Sequence, residues 1–299
     1  MSKRKYPMTF SELSFRGLGY VLLFVFGILC VIPFYLIAIS SFADESSLIR
    51  NGFQLIPEHF SLDAYKMVFT NPERIGRAYF NTILTTTVGT CLSLLLSTLT
   101  GYVLSRRDFK WRNGFSFFFF FTTLFSGGLI PWYTLCTQVV HLKNTYMGLI
   151  LPMVFSVWNM IIAKNYMAGI PYEISESAKI DGAGEIRIYA QLYLPVAKPL
   201  LATLGLFSAL GYWNDWTNGL YYVTDERLFS IQVLLTNIQR NLDALKQAAA
   251  SGGSVHVSRL PSTAVRMALT VLGILPVMLA YPFLQKYFIN GIMLGGVKE

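Results

Sequence analysis

The chain has 299 residues, of which 54% are hydrophobic and only 13% are charged. Soluble domains carry about 25% charged residues, so this deficit indicates an integral membrane protein. The net charge of +8 comes mainly from basic residues beside apolar segments, as the positive-inside bias predicts, which argues against nucleic acid as a partner. The three cysteines lie in apolar stretches, and neither they nor the scattered histidines show disulfide or metal-site spacing.

The chain begins with a basic segment, residues 1–16, and continues with an apolar run over 17–42. Four basic residues precede this run: Lys3, Arg4, Lys5 and Arg16. Roughly 20 apolar residues span a bilayer, and the run is longer than the core of a signal peptide. We therefore predict a cytoplasmic N-terminus over 1–16 and a first transmembrane helix after it.

The second span is predicted over 79–104, after a polar segment that we place outside the membrane, 43–77. This span is rich in threonine and serine, and small or hydroxylated residues let membrane helices approach closely. We therefore expect the helix to be buried among the others. A dense basic cluster follows and places the next loop in the cytoplasm: Arg106, Arg107, Lys110 and Arg112.

The third span, 115–139, is interrupted near its outer half by a Ser-Gly-Gly sequence and a proline. Irregular backbone at membrane depth is tolerated only against protein or a water-filled cavity. Gly127, Gly128 and Tyr133 are therefore candidates for lining a translocation path, the alternative being a plain helix crossing. A fourth span is predicted over about 145–167.

A polar, charged island, residues 169–199, lies between the fourth and fifth spans. A helix is predicted to start at Pro171, whose missing N–H costs nothing in a first turn. Glu173 and Glu176 lie toward the positive end of that helix's dipole. The same helix presents a narrow face of small and apolar side chains: Ile174, Ser177, Ala178 and Asp181.

Asp181 and Gly182 are predicted to end this helix in a tight turn. Gly182 can adopt the φ > 0 conformation of a helix exit, and Asp181 can cap a second helix over 183–193. That helix is predicted to stop at Leu194-Pro195, because a residue before proline avoids the α region. The island thus forms a helical hairpin that a partner could approach closely, the alternative being an interfacial hairpin without a partner.

The island resembles the EAA loop of importer-type ATP-binding cassette (ABC) transporter permeases, from Glu176 through Asp181-Gly182-Ala183 to Leu194-Pro195. In that family the loop docks on a cytoplasmic ATPase. Ser177 stands where the family usually has alanine, a change too small to prevent docking. The resemblance therefore implies an ATPase-coupling role for six residues: Glu173, Glu176, Ala178, Asp181, Gly182 and Ala183.

The fifth span, 200–223, contains the most polar stretch of any span. Asp215 is an acid in an apolar segment, and such residues usually face the interior of a helix assembly or a water cavity. Aromatic rings beside amides and a carboxylate also suit sugar recognition, although an aromatic belt at the outer surface is the alternative. The stretch resembles the same helix in the family, and its translocation-path candidates are Trp213, Asn214, Asp215, Trp216 and Asn218.

The sixth span is predicted over 262–281, after an external segment with a flexible break at 248–253. Residues 290–299 form a predicted cytoplasmic tail that resembles the C-terminus of carbohydrate-uptake permeases. The predicted fold is therefore all-α and integral to the membrane, as in type I ABC importers. Its six-helix transmembrane domain covers 17–289 and includes the coupling loop, 169–199.

The resemblance extends over about residues 57–299 and implies a location in the bacterial inner membrane. It implies four kinds of partner: a homologous second permease, two cytoplasmic ABC ATPase subunits, an extracytoplasmic solute-binding protein and membrane lipid. The chain has no GxxxxGK[ST] phosphate loop, so ATP and Mg are expected on the partner ATPase and no cofactor on this chain. Within the family it looks most like permeases for oligosaccharides, including acidic ones such as aldouronates, rhamnogalacturonan fragments and alginate.

Other kinds of protein remain as alternatives: an ABC permease for a different small solute, a membrane scaffold, or an ion-gradient-driven secondary transporter. A secondary transporter would need several intramembrane charges or an inverted repeat, and only Asp215 meets the first requirement. We find no Ser/His/Asp group and no paired carboxylates within a span. The chain is therefore predicted not to be an enzyme.

Overall fold

The computed structural model describes residues 10–250 and 262–292, which are helical apart from connecting turns and an isolated β-bridge between Ala43 and Phe60. The helices in chain order are α1 (Phe10–Ser40), α2 (Glu45–Asn51), α3 (Asp63–Val68), α4 (Pro72–Ser105), α5 (Arg112–Leu124), α6 (Leu129–Thr134), α7 (Tyr146–Ile150), α8 (Val157–Ala168), α9 (Tyr172–Ile180), α10 (Glu185–Ile188), α11 (Leu194–Val196), α12 (Lys198–Trp213), α13 (Thr217–Tyr222), α14 (Ile231–Ala250) and α15 (Ser262–Ile292). Two π-helical segments, Leu135–Val139 and Tyr189–Tyr193, and two short 3₁₀ turns, Leu151–Met153 and Glu226–Leu228, complete the helical structure.

Within 10–250 and 262–292, three helical segments are long and apolar enough to cross a membrane by themselves: Phe15–Ser40, Pro72–Ser105 and Thr263–Pro282. Three bent pairs of segments meet the same criterion together: Arg112–Leu124 with Leu129–Val139, Tyr146–Met153 with Val157–Ala168, and Glu185–Val196 with Lys198–Trp213. The described residues contain six candidate spans if each bent pair is counted once, which is the number that the sequence predicts. In the third pair, Lys198–Trp213 corresponds to the predicted fifth span, and Glu185–Val196 belongs to the polar island before it. The basic residues before position 10 and most of the predicted tail lie outside the described residues.

The chain packs as two compact units. The first comprises Met1–Thr70 and Leu242–Ile274. Within it, the carboxylate of Glu45 accepts the backbone N–H groups of Thr263 and Ala264, each at 2.8 Å. These groups lie in the first turn of α15, where a helix has unsatisfied N–H donors and a positive dipole end. Glu45 therefore fastens α2 to the start of the last span.

The second unit comprises Asn71–Asn241 and Leu275–Glu299, and its packing is centred on α4. The face of α4 that carries most of its serines and threonines is buried against α8 and α12. The predicted burial of this helix is confirmed for that face only, because side chains such as Leu95 and Leu99 are exposed. Ser93 Oγ lies 3.2 Å from Ser208 Oγ on α12, and Asn159 on α8 donates to the same hydroxyl at 3.3 Å. Hydroxyl and amide groups thus pair across three helices, as close packing in a membrane favours.

The spans are less regular than the sequence predicts. The expected interruption of the third span is present, and it bends the helix axis by 113° at a turn in which Gly128 has φ +86°. The fourth span, predicted over about 145–167, is broken before α8 and bent by 50°. Ser156 caps α8 by accepting the backbone N–H of Asn159. A serine in this role marks the start of a new helix, which hydropathy alone does not reveal.

Candidate functional site

The island forms a helical hairpin, residues 172–196, that we call the coupling hairpin. Its first helix, α9, begins one residue after Pro171, which occupies the N-cap position. The helix ends at Ile180 with Asp181 as its C-cap, and Gly182 takes φ +78°. Gly182 N–H donates to Lys179 O at 3.0 Å and Ala183 N–H donates to Ala178 O at 2.9 Å. These two bonds are those of a Schellman turn, so the predicted glycine exit is present in the structure.

Two details of the predicted hairpin are wrong. Asp181 does not cap the second helix, because α10 begins at Glu185 with Gly184 as its N-cap and no side-chain cap. The second helix also does not stop at Leu194-Pro195: it widens into a π-helical segment and continues through Val196. Leu194 N–H bonds to Tyr189 O, five residues back, and this wider winding accommodates the proline without ending the helix.

The inner face of the coupling hairpin is fastened to itself and to α4. Ser175, which is fully buried, pairs its hydroxyl with that of Tyr193 at 2.8 Å. Tyr189 pairs its hydroxyl with that of Thr98 on α4 at 2.8 Å. Tyr102 of α4 packs its ring against both tyrosines, with centroid distances of 5.4 and 4.8 Å. The hairpin and the end of α4 therefore form one packed group.

The outer face carries most of the residues predicted to couple to an ATPase. Glu173, Glu176, Asp181 and Gly182 are exposed, whereas Ala178 and Ala183 are half-buried. The predicted apolar face is therefore displaced: Ser175 and Ala178 point inward, and Ile174, Ser177 and Asp181 point outward. A groove of about 210 Å³ brings Ala178, Asp181 and Ala183 together beside α10.

Two isoleucines at the tip of the hairpin are almost entirely exposed. Ile180 is 82% exposed and Ile186 is 84% exposed, although both are large and apolar. They flank the turn at Gly182, among the acidic side chains named above. Apolar side chains within a polar rim are the usual composition of a protein docking surface.

Four charged side chains form a closed ring of alternating sign where the hairpin meets the end of α4, which we call the charge ring. Arg106 binds both carboxylate oxygens of Asp108, at 3.2 and 2.9 Å, and its Nη2 lies 3.4 Å from Glu185. Lys179 completes the ring at 2.7 Å from Asp108 and 2.8 Å from Glu185. The hydroxyl of Tyr102 donates to the second oxygen of Glu185 at 2.6 Å.

The ring keeps its members ionised. Partial burial opposes the charge on Asp108, but hydrogen bonds from Lys179 and Arg106 outweigh it and lower the pKa of Asp108 to about 2. Hydrogen bonds to Asp108 and Glu185 raise the pKa of Lys179. The ring is therefore fully charged at neutral pH. The sequence gives no direct sign of it, because Arg106 is indistinguishable from its basic neighbours until the hairpin brings the acids to it.

The polar stretch of the fifth span forms the turn between α12 and α13. Asp215 accepts the backbone N–H of Asn218 at 3.1 Å and its side-chain amide at 2.9 Å. Asn214 donates to Leu210 O at 2.9 Å, and Trp216 is 44% exposed. Trp213 is the last residue of α12. Asp215 thus stabilises the start of α13, and a role in a translocation path stays a prediction.

The break in the third span lines a cavity of about 410 Å³. Gly127 and Gly128 lie in its wall with their immediate neighbours, including Trp132. Tyr133 instead stacks on Tyr222 of α13, at a centroid distance of 6.0 Å, and is half-buried. The predicted path residues are therefore divided between this cavity and the α12–α13 region. Among the described residues, no group of three or more His, Cys, Asp or Glu could hold a metal ion.

Comparison with known proteins gives full-length matches. The polygalacturonan/rhamnogalacturonan transport system permease protein YtcP of Bacillus subtilis (strain 168) is 39% identical over 284 residues, which are 95% of this chain and 98% of the relative. The arabinooligosaccharides transport system permease protein AraQ of Halalkalibacterium halodurans is 29% identical over 308 residues, covering 99% of each chain. No family model matches.

A solved structure also matches over nearly the whole length. It is a chain of a bacterial ABC transporter involved in the import of the acidic polysaccharide alginate. The similarity has a TM-score of 0.79 and 27% identity, and covers 95% of this chain and all of the other. The six-span, all-α fold predicted from the sequence is confirmed by this match.

Proposed function

Because the chain belongs to the permease family of sugar-importing ABC transporters, we propose that its coupling hairpin receives the energy of ATP hydrolysis from a separate subunit. Permeases of ABC importers work with a second permease, ATPase subunits and a binding protein, and lie in the inner membrane as multi-pass proteins. The chain is a transport subunit rather than an enzyme. ATP and Mg bind to the ATPase subunits in this proposal, and the hairpin and both termini face the cytoplasm.

The observation that carries the proposal is the contrast between the two faces of the hairpin. Its inner face is fastened to α4 through Ser175, Tyr189 and Tyr193. Its outer face exposes Ile180 and Ile186 among acidic side chains and a turn glycine. A segment that is anchored on one side and apolar at its exposed tip suits transmission of movement from a docked partner to the spans.

We propose an acidic oligosaccharide as the substrate. Support comes from relatives whose names specify polygalacturonan/rhamnogalacturonan and alginate, both rich in uronic acids. Among the proposed path residues, the amides and indoles of Trp213, Asn214 and Trp216 would contact hydroxyls and sugar faces. Neutral arabino-oligosaccharides are the second candidate, because permeases named for them are also full-length relatives at lower identity.

Uptake into proteoliposomes tests the proposal. The complex of this chain with its second permease, ATPase subunits and binding protein is expected to take up labelled oligogalacturonate when ATP is supplied on the ATPase side. Arabino-oligosaccharide of matched length is the control substrate. Uptake of the neutral sugar alone would overturn the acidic substrate. Uptake driven by an ion gradient without ATP would overturn the coupling role.

A further inference from the structure

The charge ring lies where three parts of the second unit meet. Arg106 follows the last residue of α4, and Asp108 lies in the loop after it. Lys179 is at the end of α9, and Glu185 is the first residue of α10. Each helix of the coupling hairpin is thus tied by its own charged residue to the same end of the second span.

Arg106 is the buried member of the ring. Its side chain is 5% exposed, whereas those of Asp108, Lys179 and Glu185 are between 38% and 51% exposed. Its guanidinium lies 5.7 Å from the ring centre of Tyr102 on α4 and 5.3 Å from that of Tyr172 on α9. Cation–π attraction and a bidentate carboxylate pair both depend on the planar guanidinium fork. Arg106 therefore holds α4 and α9 together in one arrangement.

From the ring, α4 extends to the neighbourhood of the proposed path. Gly89 of α4 touches the ring of Tyr212 so closely that a Cβ there would lie 2.4 Å from it. Tyr212 directly precedes Trp213, where α12 ends and the polar turn begins. If α4 moved along or about its axis, its contact with Tyr212 would displace this turn, because tightly packed contacts transmit strain.

We propose that Arg106 is the positioning residue of a rigid joint, which carries movement of the coupling hairpin to α4 and from there to the translocation path. The inference rests on the proposed function and adds the route of transmission. Arg106 contacts no substrate and no nucleotide in this scheme. Loss of the Arg106 side chain leaves docking on the ATPase intact but breaks the connection between the coupling hairpin and α4.

The test compares Arg106→Gln with Arg107→Gln in the reconstituted complex. Arg107 is the adjacent, exposed arginine and lies outside the ring, so it controls for the lost positive charge. Both variants are expected to co-purify with the ATPase subunits and to hydrolyse ATP. Oligogalacturonate taken up per ATP hydrolysed should fall about tenfold in Arg106→Gln, within the usual range of coupling between sites, and stay within about twofold of wild type in Arg107→Gln.

An unchanged ratio in an assembled Arg106→Gln complex would overturn the joint. It would leave the proposed function standing, because wild-type uptake tests that separately. Failure of the wild-type protein to co-purify with the ATPase subunits would instead overturn the proposed function. If Arg106→Gln fails to insert, Lys179→Gln is used instead, and uptake per ATP is again expected to fall about tenfold. Lys179 is partly exposed, so its replacement leaves no buried cavity.

A covalent tie separates a rigid joint from a sliding contact. Asp108→Cys and Lys179→Cys are combined in a chain whose native cysteines are replaced by alanine. Uptake per ATP should be low in this variant and should recover when a short bis-maleimide joins the two thiols. Inhibition by the cross-link would show that the hairpin must move relative to α4, and would overturn the joint.

Discussion

Gly182 is the residue on which the turn of the coupling hairpin depends. Its φ of +78° lies in the left-handed region, which costs an L-residue about 1–2 kcal/mol. The two backbone hydrogen bonds of the turn also require this conformation. A Cβ at this position would have no neighbouring atom within 4 Å, so space is not the constraint. The glycine is therefore needed for its backbone freedom.

Gly182→Asp is expected to leave the chain inserted in the membrane while uptake becomes uncoupled from ATP hydrolysis. The change strains the turn and adds a negative charge beside Asp181. Gly184→Asp is the matched control, because Gly184 has φ −74° and occupies an N-cap position that aspartate favours. Uptake per ATP, measured in proteoliposomes, should fall only in the first variant. Normal uptake with Gly182→Asp would count against the coupling role of the turn.

At the scale of elements, α4 organises the second unit because its small residues let other helices approach. Gly101 faces Ala163 on α8, where an added Cβ would lie 2.7 Å from the alanine Cβ. Gly89 faces Tyr212 on α12, whose hydroxyl donates to Ile150 O at 2.9 Å. The tyrosine is therefore held on both sides and cannot move away from an added methyl group.

Gly89→Ala is expected to destabilise the protein in detergent by about 1–3 kcal/mol, the usual cost of overpacking. Gly205→Ala is the control: it lies on α12, and its Cβ would meet Leu94 at an ordinary 3.5 Å. Thermal unfolding followed by size-exclusion chromatography should show a lower midpoint for Gly89→Ala only. Equal midpoints would mean that α4 and α12 can separate without loss of stability.

At the scale of the whole molecule, many large apolar side chains are exposed among the residues that the structure describes. The most apolar 18-residue stretch of the first span contains no buried residue, and Leu22, Phe24 and Phe26 are more than 60% exposed. Side chains of this kind need lipid or another apolar protein surface around them. The finding agrees with a multi-pass membrane protein and with the second permease subunit proposed above.

Membrane topology can be measured by labelling single cysteines in a cysteine-free chain. Ile180→Cys, at the exposed tip of the hairpin, should react with a membrane-impermeant maleimide only after the membrane is opened. Leu55→Cys, 63% exposed between α2 and α3, should react in intact protoplasts. The expectation follows from the basic residues that flank the spans. The reverse pattern would place the hairpin outside and would remove the basis of ATPase coupling.

The amino-acid sequence by itself determined the features that depend on local composition. Long apolar runs can be predicted as spans because the hydrocarbon core of a bilayer excludes charge. A polar island between two spans can be recognised for the same reason. The break in the third span and the glycine turn after Asp181 were also predictable. Glycine and proline act on their own backbone, whatever surrounds them.

Only the tertiary structure decided which side chains meet. The charge ring joins residues up to 79 positions apart, so Arg106 looked like one more cytoplasmic cation in the sequence. The π-helical segment that carries the chain past Pro195, and the inward turn of Ser175 rather than Ile174, depend on packing against Tyr102 and Tyr193. The apolar pattern of the sequence determines where helices form. Long-range contacts between specific side chains determine how those helices are wound and how they are joined to one another.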